Sequence, residues 1–319
     1  MKKHFKKLLL MALMAVMAVG LIACGTDKSD NESTKEEKTS VTITSLDASK
    51  NEIELEVPYN PKRIAILDLA SLDIIDELGV GDRVVGMAST SIDYLEKYSN
   101  DASIKNLGTI KEADLEAVME CEPDIIFIGG RLSKSYDALS EIAPVVYLAT
   151  DTNEGLVNSV SKNAKTIASI FGMEDKVDSL MSDFGARIDT IKKISSGKTA
   201  LVGMTTSGSF NLLGNDGRCS LIGVEAGFNN LTAAGSTSTH GNESSFETVV
   251  QQNPDYIFVM DRDSAISTAG AKNAKEIVEN ELVKTTDAYK NNHIIYLEHS
   301  NVWYTAEGGI QALDIMLTD

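Results

Sequence analysis

Leu115–Arg131 reads LEAVMECEPDIIFIGGR, and Phe246–Arg262 reads FETVVQQNPDYIFVMDR. The two stretches lie 131 positions apart and align without a gap. They share Glu116 with Glu247, Val118 with Val249, the Pro-Asp pair, an Ile-Phe pair and a final arginine. Each copy reads as a helix, a Pro-Asp turn and a buried strand of Ile, Phe and Val. Ser244 and Glu247 have the spacing of a capping box at the start of the second helix. So long a period exceeds that of solenoid repeats and predicts a duplicated domain.

Outward from each copy, strands and helices alternate. In the first half Arg63–Leu67, Arg83–Met87 and Val145–Leu148 read as strands, with a helix over Ala70–Leu78 that stops at Gly79. In the second, Ala200–Met204, Tyr256–Met260 and His293–Leu297 read as strands, with helices near Leu221–Ala226 and Ala274–Lys290. The fold class is therefore α/β: two Rossmann-like lobes, residues 41–173 and 196–319, with a ligand cleft between them. Residues 174–195 place Val177, Leu180, Met181, Phe184, Ile188 and Ile191 at helical spacing, which predicts one long helix bridging the lobes. Such a bridge allows a small rocking motion rather than a wide swing. Ligands of open α/β sheets sit beyond the carboxyl ends of the strands, where Arg131 and Arg262 both fall.

At the N-terminus Met1–Lys7 carries four lysines, Leu8–Val19 is apolar but too short to span a bilayer, and Leu21-Ile22-Ala23 precedes Cys24. This is the pattern of a bacterial lipoprotein signal, residues 1–23, with Cys24 as the lipidated first residue of the mature chain. Residues 24–40 hold no large apolar side chain before Val41 and read as a flexible tether. The expected location is the extracytoplasmic face of a cell membrane, lipid-anchored, and the long tether suggests the outer face of a single membrane. The signal contains Lys2, Lys3, Lys6 and Lys7 and no acid, so of 29 basic residues 25 remain against 47 acidic, a net charge of −22. That balance excludes nucleic acid as a partner, and an anionic ligand needs a local cluster of cations. Cys121 and Cys219 fall in different halves and read as isolated thiols.

From about Val41 to Asp319 the chain resembles the substrate-binding lipoproteins that serve iron-siderophore ABC importers. The motifs are VPYNPKRIAILD, LDIIDELGVGDRVVGM, both Pro-Asp strands, the bridging segment and NLLGNDGR. The run STHGNESSFETVVQQNPDYIFVMDRD and the closing VWYTAEGG are similar to the subgroup that binds ferric catecholates, including petrobactin. The resemblance implies a monomer with no intrinsic cofactor and no enzymatic activity. Its ligand would be a ferric siderophore complex, and its partner an ABC permease. It also implies that Arg131, Arg218 and Arg262 line the cleft, and that His240 and Tyr304 complete the iron's coordination when the siderophore supplies four donors. Acids on each lobe would dock the permease: Asp73 in the first and, less directly, Glu225 in the second.

The chemistry of those residue types agrees with the resemblance. Ferric catecholates are anionic, and guanidinium groups offer charge, forked donors and a stacking plane. Phenolate is a hard donor and neutral imidazole a borderline one, both acceptable to Fe(III). His240 lies in a Ser/Thr/Gly-rich loop, and Tyr304 is expected on another loop, before Gly308-Gly309. Trp303, the single tryptophan, reads as a cleft wall or core aromatic that could stack on a catechol, and Tyr136 offers the same from the first lobe. Glu307, near Tyr304, would work against a strongly anionic ligand.

Two other readings compete. Haem, or another metal complex, would also use His or Tyr on iron and Arg on propionates, but does not account for three arginines together. An exported α/β hydrolase lacks a G-x-S-x-G elbow here, and there is no Walker A or G-x-G-x-x-G sequence after a strand.

Overall fold

The computed structural model describes residues 38–234 and 236–319; the signal, Cys24 and residues 24–37 of the tether fall outside the described residues. Residues Lys38–Asp319 form one compact unit. Its first half is built on a parallel sheet in the spatial order Lys105–Asn106, Val84–Met87, Ile64–Leu67, Ile125–Ile128, Val145–Tyr147. The second half places Thr199–Thr206, Tyr256–Asp261 and Ile294–Tyr296 side by side in parallel, and Ser209–Leu213 runs antiparallel on the other side of Thr199–Thr206, with the short strand Asn242–Glu243 outside it.

The repeat organises both sheets in the same way. Its strand lies between the lobe's first strand and its last. Its helix is Leu115–Glu120 in one copy and Phe246–Gln252 in the other. Glu122 and Asn253, at equivalent positions, turn the chain with φ of 43° and 40° just before the proline. The repeated aspartate then clamps the neighbouring strand at its start. Asp124 accepts the N–H groups of Lys62 and Arg63 at 2.7 and 2.9 Å, and Asp255 accepts that of Thr199 at 2.8 Å. Charge-assisted bonds of this kind fix where the two central strands begin, and so where they end at the cleft.

The core is continuous across the two halves. One cluster of buried apolar side chains joins Ile64, Ile66, Ile125 and Phe127 to Ala200, Val202, Met204 and Met260, through Val160, Ala164 and Ile167 of helix Leu156–Phe171. The opposite face of each sheet has its own smaller cluster. A shared core of this density resists wide separation of the lobes.

Three expected elements differ, and one further helix makes a contact of which the sequence carries no sign. The bridging segment is two helices, Glu174–Leu180 and Phe184–Ser195, broken at residues 181–183. Both pieces lay apolar side chains on the same core, so the hydrophobic period runs through a break that it does not reveal. The stretch 274–290 is three short pieces, Ala274–Val278, Val283–Thr285 and Asp287–Lys290. The cap of helix Phe246–Gln252 is Ser245, whose side chain accepts the Thr248 N–H, rather than Ser244. Finally, helix Ile310–Met316 leaves the second half and packs on helix Leu69–Glu77 of the first.

Candidate functional site

A cavity of about 420 Å³ lies between the lobes, beyond the carboxyl ends of the central strands. Asp68, Gly130, Arg131, Arg218, Tyr304 and Glu307 are among its walls. The chain reaches it after strand Ile125–Ile128 through Gly129-Gly130, where a side chain does not fit: a Cβ on Gly129 would stand 2.4 Å from Asp68 Oδ1. Arg131 follows in the 3₁₀ turn Gly130–Ser135, and Arg262 opens the short helix Arg262–Ala265, so the repeat delivers one guanidinium from each lobe.

Tyr304 is where the arginines meet. The guanidinium carbon of Arg218 stands 4.5 Å from the centre of its ring, and those of Arg131 and Arg262 each stand at 5.6 Å. Arg262 Nε donates to the Tyr304 hydroxyl at 3.2 Å, and Arg131 donates to the Tyr304 carbonyl at 3.2 Å. Arg218 is held from its other side by the Thr239 carbonyl at 2.8 Å. Burial raises the phenol's pKa, but the Arg262 hydrogen bond and the charges of Arg218, Arg262 and Arg131 outweigh it and hold the phenol below its ordinary value. Tyr304 lies in helix Ser300–Thr305, not on the loop expected for it, because packing against helix Arg262–Ala265 shapes this segment.

His240 lies on an exposed turn, with its carbonyl accepting from Asn211 at 2.9 Å. Burial and the charges of Arg262, Arg218, Lys111 and Arg131 push its imidazole below the usual value, which leaves a ring nitrogen lone pair available at neutral pH. Tyr304 thus sets a hard oxygen donor within a cationic cluster that lines the cavity through Arg131 and Arg218, while Arg262 and the exposed His240 are not among the described residues that line it.

Each arginine also has a nearby carboxyl group. Arg262 pairs with Asp263 at 3.1 Å and donates to Thr206 at 3.2 Å. Asp68 feels the charge of Arg131, and burial pushes its carboxyl up. Glu307 accepts the Cys219 N–H at 3.1 Å and feels Arg218, yet burial pushes it up to about 7. At neutral pH Glu307 therefore does less to cancel the guanidinium charges than its presence suggests. The consequence for binding has a definite sign: below about pH 7 Glu307 is neutral and an anionic ligand meets more net positive charge. Affinity for an anionic chelate should fall severalfold between pH 6 and pH 8, and Glu307→Gln should flatten that slope. A slope unchanged in the variant would remove Glu307 from the account.

Four other expected site residues lie elsewhere or do other work. Trp303 is 1 % exposed in the main core, and its indole N–H donates to Asp319 at 2.9 Å, so it is no wall of the cavity. Tyr136 packs on the first lobe's outer cluster and lines a separate cavity with Leu55 and Glu56. Asp73 is fully buried: its carboxylate accepts the N–H groups of Ile310, Gln311 and Ala312 and the hydroxyl of Tyr94. It is a helix cap and not a docking acid. Glu225 accepts the Val157 N–H at 3.2 Å at the start of helix Leu156–Phe171, with its second oxygen buried, so it too is engaged within the fold. Lys50, Thr150 and Gly129-Gly130 also line the cleft; of these, only the glycine pair, between a buried strand and Arg131, carries a signal that sequence reasoning could use.

The Periplasmic binding protein family profile matches residues 64–300, and the chain belongs to this family. It is 36 % identical over 324 residues to the petrobactin-binding protein YclQ of Bacillus subtilis (strain 168), with 98 % of each chain covered. The crystal structure of YclQ superposes with a TM-score of 0.80 over 88 % of this chain and 96 % of that one. The periplasmic catecholate-siderophore binding protein VctP of Vibrio cholerae is 31 % identical, with a TM-score of 0.79 over 88 % and 99 % of the two chains. The ferric-anguibactin-binding protein FatB of Vibrio anguillarum (strain ATCC 68554 / 775) is 26 % identical over 82 % of each chain.

Proposed function

We propose that this periplasmic binding protein captures a ferric catecholate siderophore outside the cytoplasm and delivers it to an ABC permease for iron uptake. The observation that carries the reading is the convergence of three guanidinium groups on the Tyr304 ring at an interlobe cavity. Iron is cargo here, carried within the chelate. Arg131, Arg218 and Arg262 supply the charge and stacking planes, while Tyr304 and His240 supply donors for coordination sites that a tetradentate ligand leaves open. The names of the relatives, which specify petrobactin, a catecholate siderophore and ferric anguibactin, favour this over haem. In this reading the protein acts as a monomer that binds without catalysis, anchored through lipid on Cys24.

The test is a titration of Lys38–Asp319, compact in itself, with a ferric bis-catecholate, following the visible charge-transfer band. Saturable binding with a band shift is the expected result; no binding at micromolar concentrations would sink the reading. A variant separates charge from general packing. Arg218→Ala should weaken anionic ferric catecholates about 30-fold, on the order of 2 kcal/mol, and leave neutral ferric hydroxamates within about threefold. Equal losses for the two classes would count against recognition by charge.

A further inference from the structure

The two copies of the repeat differ in what flanks their arginine. Gly130-Arg131-Leu132 in the first lobe aligns with Asp261-Arg262-Asp263 in the second. Leu132 is buried in the first lobe's outer apolar cluster, and Asp263, at the equivalent position, is also buried. A carboxylate in such a place costs more than a leucine unless donors meet it. Two do: the Ser207 N–H donates to one Asp263 oxygen at 2.6 Å, and Arg262 Nη1 donates to the other at 3.1 Å. Arg262 Nη1 also donates to the Thr206 hydroxyl at 3.2 Å, and Nε donates to the Tyr304 hydroxyl at 3.2 Å. The hydroxyl of Ser300, at the start of the helix that carries Tyr304, accepts the Asp261 N–H at 3.1 Å. The arginine, its two anchors and the tyrosine thus all belong to the second half of the chain, whereas Arg131 reaches Tyr304 from the first, through a bond to its carbonyl oxygen.

Building on the siderophore reading, we propose that Asp263 and Thr206 are positioning residues that hold the Arg262 guanidinium with its Nε–H on the Tyr304 oxygen, the atom offered to iron. A guanidinium group is planar, with its donors in a fixed fork. Anchoring Nη1 at two acceptors fixes that plane, and the direction of the Nε–H follows. Such a donor favours phenolate over phenol, since an oxygen that has lost its proton accepts more strongly. Neither of the other two arginines bonds this oxygen among the described residues: Arg131 donates to the Tyr304 carbonyl and Arg218 to the Thr239 carbonyl. The phenol's place below its ordinary value is then a product of held geometry as well as of charge.

Charge alone and held geometry give opposite signs for Asp263→Asn. Removing a negative charge beside Arg262 should make the phenol titrate at lower pH if charge alone mattered. Asparagine has one acceptor oxygen for two donors, so Arg262 should loosen and the phenol should titrate at higher pH. Thr206→Val loosens the same nitrogen without changing any charge and should move the titration in the same direction; it decides the question if Asp263→Asn does not fold. The readout is the ultraviolet absorbance of phenolate in the Lys38–Asp319 unit without chelate, each variant taken against its own Tyr304→Phe counterpart. With a ferric bis-catecholate as second probe, both variants should lose about fivefold in affinity, while a hexadentate ferric tris-catecholate stays within about twofold. A phenol that titrates at the same or lower pH in Asp263→Asn, or at an unchanged pH in Thr206→Val, overturns the positioning role and leaves the siderophore reading standing. Phenol shifts of the expected sign in a protein that binds neither chelate would overturn the siderophore reading and keep the positioning role.

Discussion

Asp73→Ala should lower the unfolding free energy by about 3–5 kcal/mol, measured by urea denaturation. The carboxylate of Asp73 accepts three successive backbone N–H groups, from Ile310 at 2.8 Å, Gln311 at 2.9 Å and Ala312 at 2.9 Å, and the Tyr94 hydroxyl at 2.6 Å. Those N–H groups are donors that helix Ile310–Met316 cannot satisfy itself. Burial pushes the carboxyl up to about 6, so it is ionised at neutral pH and all four donors meet a charged acceptor. Alanine would strand the donors in a region with no water access, since Asp73 has no exposed surface. Asparagine keeps one acceptor oxygen and should cost about half as much. The same experiment separates two roles: a surface acid that docks a permease would change stability by no more than about 0.5 kcal/mol on substitution. A change that small would return Asp73 to the docking account.

How much of this was legible beforehand depends on how far apart the interacting residues are in the chain. The repeat was legible because each copy is local: seventeen residues carry a helix, a turn and a strand, and the strand's end locates Arg131 and Arg262 without further information. Arg218, His240 and Tyr304 came through resemblance; the structure stacks Arg218 on Tyr304, and sets His240 on an exposed turn next to Thr239, whose carbonyl holds Arg218. The cap made by Asp73 could not be read, since its partners lie more than 230 positions away and SLDIIDELG shows only an acid on an amphipathic helix. Trp303 and Tyr304 are adjacent in the chain but point to different places. One is fixed by the Asp319 carboxylate, the other by Arg262, and neighbouring positions on a helix face different directions. The segment Ser300–Thr305, SNVWYT, is poor in strong helix formers, so propensity argued for a loop where tertiary packing makes a helix.

The second large effect expected is that His240→Ala combined with Tyr304→Phe abolishes any preference for tetradentate over hexadentate ferric catecholates. A hexadentate siderophore fills all six iron positions and leaves the protein only outer-sphere contacts with the arginines. A bis-catechol leaves two positions to water, and a phenolate with an imidazole would replace them. Tyr304 is prepared for that step, because the three guanidinium groups already hold its phenol below the ordinary value before any iron adds its own charge. His240 is prepared in the complementary sense, its imidazole pushed below the usual value by burial and then by the same charges. Affinity of the double variant for a ferric bis-catecholate should fall about 100-fold, on the order of 3 kcal/mol, with loss of the band shift, while a hexadentate complex stays within about threefold. Phenylalanine keeps the ring on which the arginines stack, so the substitution removes the donor and spares the cluster. Arg218→Ala is the counterpart: it should weaken both chelate classes and leave the band shift of whatever complex forms. A band shift that persists in the double variant would mean that neither His240 nor Tyr304 is the iron's ligand, and that the tyrosine serves only as the surface on which three arginines are gathered.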